Sequence, residues 1–583
     1  MSQDATSLPY HEPSIVTILV QTSFLLLLNV VNVALDRVLY CGLLGQVLIG
    51  IAWGTPGAKW LSVHVEETMV QLGYLGLILL VFEGGLHTSF QSLKANLLLS
   101  SGVALTGIAF PIGLSYTLQG LLNATPVQAF AAGAALCSTS LGTTFTVLGS
   151  SGLSASRLGV VLTSAAMMDD VVGLVMVQVI SNLGGDNFSW ITIVRPILVS
   201  IAFAIFVPLA CHLVIKPLTS WLNSYREGHP TARLNTLLWK SQTAFTIHTM
   251  LLIALVAGAS YAGTSNLFAA YIAGASISWW DSELPHPDPV VSQSASSNEE
   301  TSQTTPTVPE EEASTARQMT SSTEGMDHVD PRNDTDNQPA KPQTSRASLT
   351  LCHEQDTSGS AIYQQYYHPA VSKILQPLFF ASIGFSIPIT RMFRGAILWR
   401  GIVYTSLMAF AKFVCGLWLI RIPLTPGKKA VGRIKAMTKL PSVPHLWGGN
   451  DHAGQSTQTR VTSPIDVTSS TAARTEPRSS PSPAKPLSLH PPLILALAMC
   501  ARGEIGFLIS GVAESNGIFS SSSQPSDGPS DIFLVVTWAI VLCTIAGPLG
   551  VGLLVRRVKK LQEQKNKQQQ GAGRDVLGVW GVE

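Results

Sequence analysis

The stretch 164–180, SAAMMDDVVGLVMVQVI, places two adjacent carboxylates in the middle of an apolar run long enough to cross a bilayer. The run continues on either side as a span at 157–182, with Asp169 and Asp170 about twelve residues from each end and so near the bilayer midplane. Neighbouring positions on a helix are about 100° apart, so one aspartate can face a cavity while the other faces an adjacent helix. Burial and mutual repulsion both disfavour the doubly charged form. Such a pair holds a proton or a small cation, and competition between the two for one site is the simplest basis for exchange.

The rest of the chain fits that reading. Of 583 residues, 46% are hydrophobic and 12% charged, against roughly 25% charged in ordinary soluble domains. Apolar runs recur at about 14–35, 38–54, 68–87, 95–118, 128–148, 157–182, 190–216, 242–262, 265–280, 368–390, 395–420, 491–515 and 531–555. The expected fold is therefore an all-α polytopic membrane protein of about thirteen transmembrane helices. The seven cysteines lie mostly inside these runs, without metal-ligand spacing, and read as small buried hydrophobes.

Basic residues favour one side of the membrane. Arg37, Lys94, Arg157, Lys216, Arg226, Arg233, Lys240 and the tail RRVKKLQEQKNK follow odd-numbered spans, against Lys59, Arg391 and Arg394 on the other side. This predicts an N-terminus that is outside or lumenal and a cytoplasmic C-terminus, in the plasma membrane or an endomembrane. The domain reading is an extracytoplasmic tail at 1–13, membrane domain at 14–280, a disordered cytoplasmic loop at 281–366, membrane domain at 367–421, a second such loop at 422–490, the last two helices at 491–555 and a basic tail at 556–583. The two loops are rich in Ser, Thr and Pro and lack the apolar content that offsets chain ordering.

Thirteen spans divide as six, one and six, which makes the second six inverted relative to the first, the topology of an inverted-repeat transporter. Span 5 then corresponds to span 12, and both carry helix-interrupting residues. Span 5 holds Cys137, Ser138, Thr139, Ser140, Gly142, Thr143 and Thr144; span 12 holds Arg502, Gly503, Glu504 and Gly506. Broken helices expose carbonyls and amides that can coordinate a cation, while the alternative for span 5 is a small-residue packing face. Arg502 and Glu504, two residues apart, point to nearly opposite sides of a regular helix, and a structural role at the helix ends outweighs direct ion binding for both. Lys412, in LMAFAKFVCGLWLI, is the lysine set deepest within a span. It either salt-bridges an aspartate or snorkels towards the cytoplasmic end of its helix.

Taken in order, VLYCGLLGQVLIGIAWGTP, LILLVFEGGLHTS, CSTSLGTTF, MMDDVVGLV, GTSNLFAAYIAGASIS, PLFFASIGFSI, the Lys412 span and ARGEIGFLIS resemble the monovalent cation:proton antiporter superfamily, the sodium/hydrogen exchanger fold. The resemblance covers most of 35–555 outside the two loops. It implies two inverted repeats of six with crossed discontinuous helices, a mobile core domain beside a dimerisation domain, and a homodimer that moves Na+, K+ and H+ through the lipid bilayer. It implies Asp170 as principal cation and proton carrier, Asp169 as its neighbour, Thr139 and Ser140 near the helix break, and Lys412 as a competing partner. The Asp-Asp pair is similar to the electrogenic branch, whereas FEGGL is similar to the other branch and the crossing helix lacks its Thr-Asp-Pro signature, so stoichiometry stays open. A sodium-coupled organic anion symporter is the second reading, and a cation channel or non-transporting sensor the third; no filter of the TVGYG kind is present. No motif supports enzyme catalysis, and no cofactor or nucleic-acid partner is expected.

Overall fold

A computed structural model describes residues 10, 12–88, 96–140, 142, 156–184, 190–228, 240–283, 357–420, 489–520, 528–568, 577 and 580. These all fall in the unit formed by Met1–Pro285 and Asp356–Glu583. The described residues are helical, with no strand among them. The helices are α1 (Ile15–Leu39), α2 (Gly42–Trp53), α3 (Val63–Leu86), α4 (Leu97–Ser115), α5 (Pro126–Ala135), α6 (Arg157–Leu183) and α7 (Trp190–Ala210). They continue as α8 (Ser241–Ala262), α9 (Asn266–Glu283), α10 (359–385), α11 (Gly395–Phe413), α12a (His490–Cys500), α12b (Glu504–Ser515) and α13 (Asp531–Gln568).

Among the described residues, nine helical segments are long and apolar enough to cross a membrane, by length and composition. They fall on the expected spans 1, 3, 4, 6, 7, 8, 11, 12 and 13. The remaining four positions hold α2, α5, α9 and α10, which are shorter or interrupted, so the full count of thirteen stays an expectation of the sequence. Three boundaries differ from that reading, the first being α9, which continues to Glu283, past the expected end at 280. Helix α10 starts at Gly359, inside the segment read as the loop 281–366, because Ser358 caps its first turn by accepting from Ala361 N at 3.4 Å. At the other end, α13 runs on to Gln568, and in the basic tail Leu577 and Trp580 are buried, with the Arg157 guanidinium 5.2 Å from the Trp580 ring centre. The rest of the two loops lies outside the described residues.

The helices fall into two groups. Helices α4, α5, α6, α11, α12a, α12b and α13 pack around the two helix breaks, while α1, α2, α3, α8, α9 and α10 pack on one another. Glycine sets the close approaches in the second group. A Cβ on Gly274 of α9 would lie 2.2 Å from the Phe82 carbonyl of α3, and one on Gly50 of α2 would lie 2.1 Å from the Ala381 carbonyl of α10. Small residues bring helix backbones together where lipid offers no hydrophobic driving force.

Candidate ion site at the helix breaks

Helix α5 opens with a reciprocal cap: Gln128 N donates to Thr125 Oγ1 at 3.3 Å, and Thr125 N donates to Gln128 Oε1 at 2.8 Å, with Pro126 in the first turn. It ends at Ala135, and Cys137-Ser138-Thr139-Ser140 leaves the helix. Hydroxyl side chains offer a backbone alternatives to helical bonding. On α12, residues Ala501, Arg502 and Gly503 form the corresponding break between α12a and α12b, with Ala501 extended at φ −60°, ψ 128°.

The two breaks meet. Ser140 N donates to the Ala501 carbonyl at 3.0 Å, Thr139 Oγ1 reaches the Met499 carbonyl at 3.3 Å, and Arg502 Nη1 donates to the Ser138 carbonyl at 2.8 Å. Thr544 Oγ1 of α13 takes the Arg502 carbonyl at 2.8 Å. A broken membrane helix must find partners for its freed carbonyls, and here each break supplies partners for the other. The second limb of the α5 segment, beyond Gly142, lies outside the described residues.

The aspartates sit on α6 directly over this crossing. Asp169 is fully buried, and its Oδ2 accepts from Lys412 Nζ at 2.6 Å and from Thr139 Oγ1 at 2.8 Å. Its Oδ1 has no hydrogen-bond partner. Lys412, also fully buried, spends its other protons on the Cys137 carbonyl at 2.6 Å and on Thr139 Oγ1 at 3.0 Å. It does not snorkel. Gly107 of α4 makes room for the pair, since a Cβ there would lie 3.0 Å from Lys412 Nζ and 3.3 Å from Asp169 Oδ2.

Asp170 has a different setting. Its Oδ1 accepts from Ser138 Oγ at 2.8 Å, and it lines a cavity of about 650 Å³ that runs between the two helix groups to Asp36, Glu83 and His87. Glu504 and Ser140 line the same cavity. Glu504 heads α12b, where the helix dipole favours an anion, and accepts from Ser140 Oγ at 3.4 Å. Arg502 is fully buried behind the crossing, and no ion pair joins it to Glu504. Its Nε and Nη2 have no hydrogen-bond partner.

All seven residues singled out from the sequence thus gather at one crossing. The residue that touches Asp170 is Ser138, one position before the two hydroxyls expected at the break. Which of the adjacent hydroxyls faces which aspartate follows from the backbone turn after Ala135, which the sequence does not specify. The main-chain carbonyls of Cys137 and Met499 had no signal of their own.

Comparison with known proteins places this architecture. Residues 23–295 match the family described as "Sodium/hydrogen exchanger, transmembrane". The chain is 28% identical over 184 residues to the Na(+)/H(+)-K(+) antiporter GerN of Bacillus cereus, covering 31% of this chain and 46% of that protein. The first half of this chain is thus similar to the membrane domain of the sodium/hydrogen exchangers.

A second relative, the high-affinity Na(+)/H(+) antiporter NhaS3 of Synechocystis, is 30% identical over 140 residues, covering 24% of this chain and 30% of NhaS3. The chain thus spans less than half the length of these two relatives. Among solved structures, the sodium proton antiporter MjNhaP1 from Methanocaldococcus jannaschii aligns over 93% of this chain and 98% of its own, at 13% sequence identity and a TM-score of 0.47.

Proposed function

We propose that the protein is a secondary active transporter that exchanges Na+, K+ or both for protons by alternating access. The observation that carries this reading is the unequal environment of two adjacent carboxylates. Asp169 is enclosed and neutralised by Lys412, whereas Asp170 lines a cavity that holds polar and acidic groups along its length. A carboxylate presented to such a cavity, with a hydroxyl at 2.8 Å and two helix breaks beside it, can take up either a proton or a monovalent cation. Occupancy by one excludes the other.

In this account Asp170 carries the ion, Ser138 orients it, and Ser140 with the carbonyls of the crossing completes the coordination shell. Asp169 and Lys412 fix the geometry and set the charge that travels with the ion. Arg502 and Glu504 hold the broken ends, countering the carbonyl end of α12a and the amide end of α12b. The names of GerN and NhaS3 support both Na+ and K+ as cargo classes. The proposed arrangement further has thirteen spans, a homodimer, an outer N-terminus, a cytoplasmic C-terminus and cytoplasmic loops at 281–366 and 422–490.

The test is flux in vesicles. Purified protein in liposomes with an imposed pH gradient is expected to drive uptake of Na+ or K+, and a clamped membrane potential reads the stoichiometry. A pH gradient that moves neither cation refutes the proposal.

A further inference from the structure

A second cavity, of about 620 Å³, lies behind the ion-site helix and takes no part in the exchange described above. Its volume falls within the range of about 300–1,000 Å³ that small-ligand sites occupy. One wall is the back of α6, where Met167 and Met168 immediately precede the two aspartates. The second wall is α9, through Tyr271, Ala275 and Trp279, and the third is α7, through Ala204 and Pro208.

The local cause of the gap is readable. Pro208 removes a backbone donor inside α7, and the helix widens into a π-turn over Cys211–Ile215 before tightening again at Lys216. Pro208, Cys211 and His212 of this distorted stretch all line the cavity. Helix α7 is otherwise among the least enclosed in the molecule: the segment Ile193–Arg226 has only 6% of its most apolar window buried. In a bilayer the medium on its outer face is lipid, so lipid is what adjoins the cavity.

The lining is mostly apolar, with a few polar side chains. Met167, Met168, Val171 and Val172 come from the middle of α6, while His212 comes from the π-turn that leads to Lys216; Ser276 and Thr88 are further polar lining residues. His212 is exposed, and the exposed Lys216 follows it one turn later along the same helix. Apolar walls at midplane depth that end in basic groups complement one amphiphile: an acyl chain attached to a phosphate.

We infer that this cavity is a binding site for a phospholipid of the leaflet on the Lys216 side, with one acyl chain against Met168 and the phosphate at His212 and Lys216. The inference rests on the reading of this chain as membrane-spanning and not on the exchange reaction. Tyr271 lines both cavities, and its hydroxyl is tied to Thr88 Oγ1 at 2.9 Å, so the lipid would stand one side chain away from the ion pathway.

The experiment uses the full chain reconstituted in liposomes containing phosphatidylglycerol with a diazirine in one acyl chain. Photolysis followed by peptide mapping is expected to concentrate adducts on the α6 and α7 peptides that contain Met168 and Pro208. Ala204→Trp, which fills the cavity from its exposed wall, is expected to lower those adducts at least fivefold. His212→Glu, at an exposed position, is expected to lower them at least threefold by repelling the phosphate. Adducts spread evenly over the lipid-facing helices, or unchanged yields in both variants, would overturn the inference. Because the readout is an adduct and not a flux, it can fail or succeed independently of the exchange proposal.

Discussion

Lys412 Nζ and Asp169 Oδ2 lie 2.6 Å apart, and neither side chain has any exposure to solvent. Thr139 Oγ1 bridges them, accepting from the lysine at 3.0 Å and donating to the carboxylate at 2.8 Å. The ammonium therefore has three acceptors and no spare proton, and the triad as a whole is neutral. A buried ion pair adds little net stability, but losing one partner strands the other as an uncompensated charge.

Lys412→Met is accordingly expected to destabilise the protein by about 3–5 kcal/mol. Asp169→Asn together with Lys412→Met is expected to cost less than the sum of the single changes, because the double variant leaves no unpaired charge. Thermal unfolding of the purified protein in detergent reads both. Additive losses would show that the pair is not coupled.

Thr139→Val keeps the shape and removes the bridging hydroxyl. It is expected to lower stability by about 1–3 kcal/mol, since both charged partners lose a bond in a dry setting. Ser138→Ala acts on the other aspartate, which borders the cavity, so its expected effect is a raised apparent KM for the cation with little change in unfolding temperature. Equal effects of the two variants on unfolding and on KM would contradict this division of roles.

Gly503→Ala tests the crossing. The backbone there (φ −156°, ψ −143°) lies outside the left-handed region, and the obstacle is steric: a Cβ would lie 2.5 Å from Ser140 Oγ and 2.6 Å from its Cβ. The serine cannot rotate its own Cβ away, so the breaks must separate, at an expected cost of about 1–3 kcal/mol and with loss of transport. Gly120→Ala, with nothing within 4 Å of the added carbon, is the matched control and is expected to be neutral.

Protons and cations competing for Asp170 fix the sign of the pH dependence. Lowering the pH protonates the carboxylate, so the apparent KM for the cation rises, by up to roughly tenfold per pH unit once the proton dominates. The maximal rate at saturating cation changes less. Rates measured at a series of cation concentrations and pH values check this, and an apparent KM independent of pH would exclude a shared site.

Much of this was legible in the sequence because membrane burial makes polar residues conspicuous. Asp169, Asp170, Lys412, Arg502 and Glu504 stood out as charges inside apolar runs, and the Gly and hydroxyl residues of spans 5 and 12 marked where the helices break. The assignment of partners was not legible. That Lys412 takes Asp169 and leaves Asp170 to Ser138 depends on the rotation of α6 against α11 and on the turn after Ala135, both set by packing between segments far apart in the chain. The second cavity was invisible for a related reason: Pro208 reads as one more proline in an apolar run, and only the packing of α7 against α6 and α9 encloses the space that it lines.

The most direct test of the central claim compares the wild-type protein with Asp170→Asn in liposomes under an imposed pH gradient, with unfolding temperature measured in parallel. The account predicts gradient-driven Na+ or K+ flux in the wild type and none in the variant, with folding retained because Asp170, unlike Asp169, has no charged partner to strand. Undiminished cation flux in Asp170→Asn would contradict it.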